Sequence, residues 1–219
     1  MHDSVKRLIS IQLEIKSICE EKNIQIPAII AISKTFPIEN VMPLIEHGHI
    51  HFGENKVQEA ETKWKSIKNK FKKLNLHLVG KLQTNKVKKA LSIFDYIHSL
   101  DNIKLANIIS KNQKDLEKKI KLFVQVNIGN ESQKSGISTN EIVTFVNKCT
   151  NDLKLNIIGL MCLPPIDLNP EKYFKELYEL KNLCEVSHLS MGMSADYLTA
   201  TKYKSSFLRI GSSIFGPRN

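Results

Sequence analysis

The sequence predicts an α/β protein: a single (β/α)8 TIM barrel with one extra helix in front. Three observations predict it. Short apolar runs recur that are continuous rather than alternating, as in strands buried on both faces of a parallel sheet. Helix-period segments separate these runs from one end of the chain to the other, and eight such units fit a closed barrel. No linker or shift of composition divides the 219 residues, so the chain reads as one domain over 1–219. An open doubly wound sheet is the structural alternative.

The expected elements follow in order. Segment 4–22 places Val5, Leu8, Ile9, Ile15, Ile18 and Cys19 on one side of a helix that Asp3 or Ser4 can cap. The first strand is Ala28-Ile29-Ile30-Ala31-Ile32-Ser33, bracketed by Pro27 and Pro37, and it runs into Lys34. A helix through Ile38, Val41, Leu44 and Ile45 ends near Gly48. His49 to Gly53 reads as a short second strand before a long helix over roughly 55–72. Leu76 to Val79 is the third strand, Thr84 caps a short helix over 84–92, and Phe94 to His98 is the fourth strand. Asp101 caps a helix through Leu105, Ile108 and Ile109, and Leu122 to Asn127 is the fifth strand. Ser138 and Glu141 suggest a capping box over the helix of Ile142, Val143, Phe145 and Val146. Leu155 to Leu160 is the sixth strand, and Asn169 then Pro170 open a helix in the cap-then-proline order. Ser187 to Leu189 is a very short seventh strand, and a helix after Ser194 leads to the eighth, Phe207 to Arg209.

The formal net charge of +10 raises nucleic acid as a partner. Arg7, Arg209 and Arg218 are the only arginines, so 29 of the 32 basic residues are lysine, a pattern of solvated helix faces rather than of a binding patch. The densest run, Lys63 to Lys73, carries Trp64 and Phe71 at amphipathic-helix spacing. RNA binding is therefore a secondary reading. Cys19, Cys149, Cys162 and Cys184 are far apart without a Cys-x-x-Cys pair and read as reduced core thiols. There is no signal-like N-terminus and no apolar run near the ~18 residues of a spanning helix, so a soluble cytoplasmic protein is expected, without membrane contact.

The chemistry sits at the expected strand ends, where barrels keep their functional residues. Lys34 closes the first strand; a lysine partly dehydrated there becomes a nucleophilic amine suited to a Schiff base with an aldehyde. On that stretch alone a snorkelling surface lysine is the plainer reading. The seventh strand leads into Ser190-Met191-Gly192-Met193-Ser194, and the eighth into Arg209-Ile210-Gly211-Ser212-Ser213. Gly192 and Gly211 let backbone approach a ligand, and Ser194 and Ser212 offer hydroxyls, so these loops form a candidate phosphate cradle. A nucleophilic lysine beside a phosphate cradle suits a phosphorylated aldehyde, of which pyridoxal 5'-phosphate (PLP) is the obvious one. In a lysine-rich chain, an arginine at position 209 suggests a planar, permanently charged donor.

These strings resemble the YggS/PROSC family of pyridoxal phosphate homeostasis proteins. AISKT at 31–35 matches its lysine motif, FGEN at 52–55 with Val57-Gln58-Glu59 its second-strand signature, and HLVGKLQTNK at 77–86 its H-x-x-G-x-L-Q-x-N-K. KSG at 134–136, GLM at 159–161, SMGMS at 190–194 and RIGSSIFG at 209–216 also correspond. Val79 departs from the isoleucine common there, and the N-terminal helix carries no motif.

The resemblance implies a barrel similar to the N-terminal domain of fold-type III PLP enzymes such as alanine racemase. It implies PLP bound covalently at Lys34, phosphate held by Ser194, Gly211 and Ser212, Arg209 facing the pyridine nitrogen, and Asn55 near the cofactor. The implied role is buffering or delivery of PLP, with PLP-dependent apo-enzymes as candidate recipients. Robust turnover is not expected. A guanidinium at the ring nitrogen disfavours a proton there, which weakens the ring as an electron sink. Racemases of similar fold add a tyrosine from a partner's C-terminal domain, whereas this sequence ends at Asn219, three residues past Gly216. Tyr96, Tyr173, Tyr178, Tyr197 and Tyr203 are all assigned to the barrel, and a monomer is expected. An amino-acid racemase or other PLP-dependent enzyme is the alternative function.

Three further signals carry less. His47, His49 and His51 alternate as metal ligands can, but His47 fits a helix end and no carboxylate completes the set. Glu54 and Glu59 could suggest acid/base chemistry, yet Glu59 fits a solvated or structural helix position. Cys162 follows the sixth strand with nothing nearby to activate it.

Overall fold

A computed structural model describes residues 1–114, 116, 119–131, 133, 135–165 and 169–217. Its eight strands are β1 (Ala28–Ile32), β2 (His51–Glu54), β3 (Asn75–Leu78), β4 (Tyr96–Leu100), β5 (Lys121–Val126), β6 (Ile157–Cys162), β7 (His188–Met193) and β8 (Phe207–Ile210). They close into a barrel in chain order, every neighbouring pair parallel, with β1 bonded to both β2 and β8. The helices are α1 (Asp3–Lys22), α2 (Ile38–Glu46), α3 (Val57–Lys70), α4 (Val87–Ile93), α5 (Ile103–Gln113), α6 (Ile142–Asn147), α7 (Pro170–Leu183), α8 (Tyr197–Lys202) and α9 (Ser212–Phe215). The fold is thus the eight-stranded barrel with a leading helix, and not an open sheet. No helix among the described residues is long and apolar enough to cross a membrane.

β1 shows why an apolar run can be continuous in this fold. Ile29 and Ala31 face the large core between strands and helices, while Ile30 and Ile32 face a smaller inner core with Tyr96, Phe123, Met161 and Phe207. Side chains alternate across the sheet and both faces of β1 are buried, so this strand carries no polar side chain. Trp64 of the lysine-rich run lies wholly in the outer core while Lys65 and Lys70 are exposed, as an amphipathic α3 requires. The four cysteines are free and buried.

Several boundaries move. Gly48, at φ +96°, closes α2, and His49 donates its backbone N–H back to Leu44, so β2 starts only at His51. Phe94 likewise still bonds Ala90, and β4 begins two residues later. Ile157 turns onto Leu155, which delays β6. The largest change is β7, which continues to Met193 through the bulge between Ser190 and Met193.

Helix caps also shift. Asn102, not Asp101, accepts the Leu105 N–H at 2.8 Å, and the His2 ring, not Asp3 or Ser4, caps α1 by accepting from Ser4. Thr84 lies within a 3₁₀ turn that precedes α4 rather than at a cap. Ser138 donates directly to the Glu141 carboxylate at 2.6 Å, so that pair does not make the reciprocal backbone bonds of a capping box. Asn169 caps α7 ahead of Pro170 as expected.

The leading helix has a structural task. Arg7 donates to the Ile214 carbonyl at 2.6 Å, and the Tyr197 hydroxyl donates to Glu14 at 2.8 Å. α1 therefore braces α8 and α9, the two helices that follow β7 and β8.

Candidate functional site

Parallel strands deliver all their C-terminal ends to one face. The β1 ladder extends one residue, Ser33 donating to Gly53 at 3.0 Å, and then turns as Phe36 bonds back to Ser33 at 3.1 Å. Half-buried Lys34 sits in this turn beside Thr35, whose φ is +68°. It thus stands two residues past the strand, not on it.

The turn is fixed from below by α3. Glu54, fully buried, accepts through one oxygen from Ser33 Oγ at 2.7 Å, Lys63 Nζ at 2.9 Å and Trp64 Nε1 at 2.9 Å. Lys63 also donates to the Ser33 carbonyl at 2.9 Å and to Glu59 at 3.2 Å, and Glu59 accepts the Thr35 N–H at 2.6 Å. The two glutamates thus anchor the turn that carries Lys34 rather than forming an acid/base pair. Phe36, stacked on Phe215 with centroids 5.0 Å apart, ties the same turn to α9.

Asn55 follows β2 directly. A Cβ at Gly80 would fall 2.3 Å from the Asn55 carbonyl oxygen, so only glycine lets the loop after β3 pack there. Ser194 follows β7. Gly192, at φ +93°, has no room for a Cβ against Ala200 and Leu208, so it serves the bend of the strand and its packing on α8 rather than ligand approach. Arg209 lies within β8, 4% exposed. Its Nη1 donates to Ser190 Oγ and its Nη2 to the Cys162 carbonyl, both at 2.8 Å, and it forms no ion pair among the described residues. Beyond it, the backbone N–H groups of Gly211 and Ser213 both point at Ser194 Oγ, at 3.3 and 3.4 Å.

Lys34, Asn55, Ser194, Arg209, Gly211 and Ser212 all line one cavity of about 520 Å³. Its remaining walls, Ile32, Val79, Leu163, Pro164, Met193 and Ala195, are almost wholly apolar. The size and composition, an apolar chamber with a few convergent polar groups, suit a small molecule. The arrangement offers an amine, a buried guanidinium and a hydroxyl with two amide N–H groups at one end.

Sequence reasoning missed the groups behind these. Ser190 and the Cys162 carbonyl hold Arg209, and Ser190 in turn touches His98. Ser190 lies inside the SMGMS string, which was the available signal. The Cys162 thiol itself is pushed up to about 12 by burial and is no nucleophile. His47 ends α2, while His49 bonds the His51 carbonyl and is held at about 4, chiefly by burial. No group of three potential ligands that could hold a metal occurs among the described residues. Lys134 of the KSG string and Arg218 lie outside the described residues.

Comparison with known proteins identifies the family. The family model for the alanine racemase N-terminal domain matches residues 14–219. The pyridoxal phosphate homeostasis protein of Haemophilus influenzae is 34% identical over 95% of this chain and 93% of its own length. That of Aquifex aeolicus is 32% identical over 99% of both. The structure of PipY from Synechococcus elongatus with PLP bound superposes with a TM-score of 0.82 at 29% identity, covering 97% of this chain and 100% of PipY. Barrel, motifs and relatives converge, and the chain belongs to the YggS/PROSC family of pyridoxal phosphate homeostasis proteins, which shares the alanine racemase N-terminal domain.

Proposed function

We propose that this chain, as one barrel domain over 1–219, binds PLP covalently at Lys34 and buffers or delivers it in the cytoplasm without robust catalytic turnover. One observation carries the reading: the amine, the buried guanidinium and the Ser194 loop cluster meet on a single cavity of about 520 Å³. When bound, the cofactor supplies an aldehyde that a primary amine can capture and release.

The donor set fits that ligand. Lys34, held by the α3 anchor, presents its amine to the carbonyl group. Ser194 and Ser212, with the N–H groups of Gly211 and Ser213, form a neutral donor cluster suited to the phosphate. Ile32, Val79, Leu163 and Met193 wall the space for a flat ring. Arg209 would face the ring nitrogen, and Asn55 would lie beside the ring. A permanent positive charge at that nitrogen opposes its protonation, which limits the electron withdrawal that amino-acid chemistry needs.

The same walls argue against racemisation. Lys34 is the one proton-exchanging base among the described residues lining the cavity, and no tyrosine lines it. Tyr197 and Tyr203 donate to Glu14 and Glu171, and Tyr96 lies in the inner core. A proton taken from one face of a substrate then has no donor on the other. We further propose that the protein acts as a monomer, takes no nucleic acid, and passes PLP to apo-enzymes that depend on it.

Two measurements test this reading. Titration with PLP should produce a visible absorption band that the Lys34→Ala variant lacks. Incubation of the loaded protein with L- or D-alanine should leave chirality unchanged. Sustained racemisation that disappears in Lys34→Ala would identify an enzyme instead.

A further inference from the structure

A continuous line of hydrogen bonds runs through the barrel interior behind the cavity. Arg209 Nη1 donates to Ser190 Oγ at 2.8 Å, and Ser190 Oγ lies 2.8 Å from His98 Nδ1. His98 Nε2 lies 2.9 Å from His77 Nδ1, and His77 Nε2 lies 3.0 Å from His51 Nδ1. One side chain each comes from β8, β7, β4, β3 and β2. Ser190, His98 and His77 are fully buried, and His51 is half-buried at the far end, where it also borders a second cavity of about 210 Å³. His77 stacks on Tyr96 at 4.2 Å and His98 on Phe123 at 4.4 Å, so the rings are clamped.

Donor and acceptor capacity assigns the line one direction. A guanidinium has donors only, so the Ser190 oxygen accepts from Arg209. His98 Nδ1 is the other partner of this hydroxyl among the described residues, so the Ser190 proton is assigned to that bond. Neutral His98 then carries its proton on Nε2 and donates to His77 Nδ1. His77 repeats the pattern toward His51, which is left with its proton on Nε2. Every imidazole thus turns its lone-pair nitrogen toward Arg209.

This matters because Arg209 is a buried charge with no carboxylate partner in ion-pair range among the described residues. Buried charges are costly unless paired or well hydrogen-bonded. A carboxylate would hold the guanidinium but cancel its field; oriented neutral dipoles hold it and leave the charge to the ligand. Accordingly, we propose that Ser190, His98, His77 and His51 form one polarised relay that solvates Arg209 in place of a counter-ion, and so fixes a full positive charge at the floor of the cavity. They are positioning residues, and this role rests on the reading of the cavity as the cofactor site. Burial, with Arg209 adding to it at His98, holds His77 and His98 far below the usual histidine range. That agrees with the relay, since a cationic ring would carry protons on both nitrogens and break it.

Nitrogen-15 NMR of the histidines in the full chain, without added cofactor, reads the relay directly. His51, His77 and His98 should each be neutral with the proton on Nε2. A proton on Nδ1 of His98 or His77, or a cationic ring at neutral pH, would overturn the proposal. In binding, His98→Leu should weaken PLP about tenfold and shift the absorption maximum of the bound cofactor. His98→Gln, whose amide oxygen can still accept from Ser190, should recover most of both effects. Unchanged binding and spectrum in His98→Leu would contradict the role; if that variant does not fold, the wild-type NMR pattern decides. A wild-type protein that takes up no PLP would refute the cofactor reading, while the NMR pattern would still judge the relay.

Discussion

Replacing Lys63 by methionine is expected to destabilise the fold by about 3 kcal/mol or more, because it strands a buried carboxylate. Glu54 is 0% and Lys63 8% exposed at the side chain, and the pair stands at 2.9 Å. The loss of one partner is far worse here than the loss of a surface ion pair, which is worth at most about 1 kcal/mol. The lysine also holds the Ser33 carbonyl and Glu59, so the same change loosens the turn that presents Lys34. Adding Glu54→Gln should recover part of the stability. Glutamine keeps an acceptor for Ser33 and Trp64 while removing the stranded charge. Chemical denaturation of the wild type and both variants checks this. A single variant as stable as the wild type would show that the anchor does not matter.

Gly211→Asp should weaken PLP binding by about a hundredfold, through like charge against the phosphate in a partly dehydrated site. Bulk alone is a smaller effect. The three atoms nearest a Cβ at Gly211 all belong to Ile32, the closest 3.4 Å away, so Gly211→Ala serves as the steric control. Pyridoxal, which lacks the phosphate, should bind the wild type much less well than PLP and should be far less sensitive to the aspartate. Equal affinities of the wild type for the two ligands would refute the phosphate cradle.

The barrel was legible because its strands announce themselves. Ile29 and Ala31 on one face and Ile30 and Ile32 on the other leave a gapless apolar run that only a doubly buried strand explains. β7 was legible only as far as Leu189. Ser190 and Gly192 look like a turn in sequence, yet Ser190 is buried in a strand because Arg209 and His98 satisfy its hydroxyl. Caps one residue off, such as Asn102 for Asp101, reflect two chemically equivalent neighbours whose backbone angles alone decide.

The cavity residues were legible where they fall at strand ends, since topology then places them on one face. The groups supporting them were not. Glu54, Lys63 and Trp64 converge only when α3 folds back on β2, and His51, His77 and His98 converge only when three strands lie side by side. A histidine inside an apolar strand reads in sequence as an isolated polar residue. Its partner is far along the chain, as with His98 and Ser190, and no local spacing reveals it.

The central claim is that Lys34 is the residue that holds the cofactor. Borohydride reduction of the PLP-loaded protein, followed by intact mass and peptide mapping, tests it most directly. The account predicts one pyridoxyl phosphate per chain, attached at Lys34, and no such adduct in Lys34→Ala; a label fixed on a different lysine, with Lys34 unmodified, would contradict it.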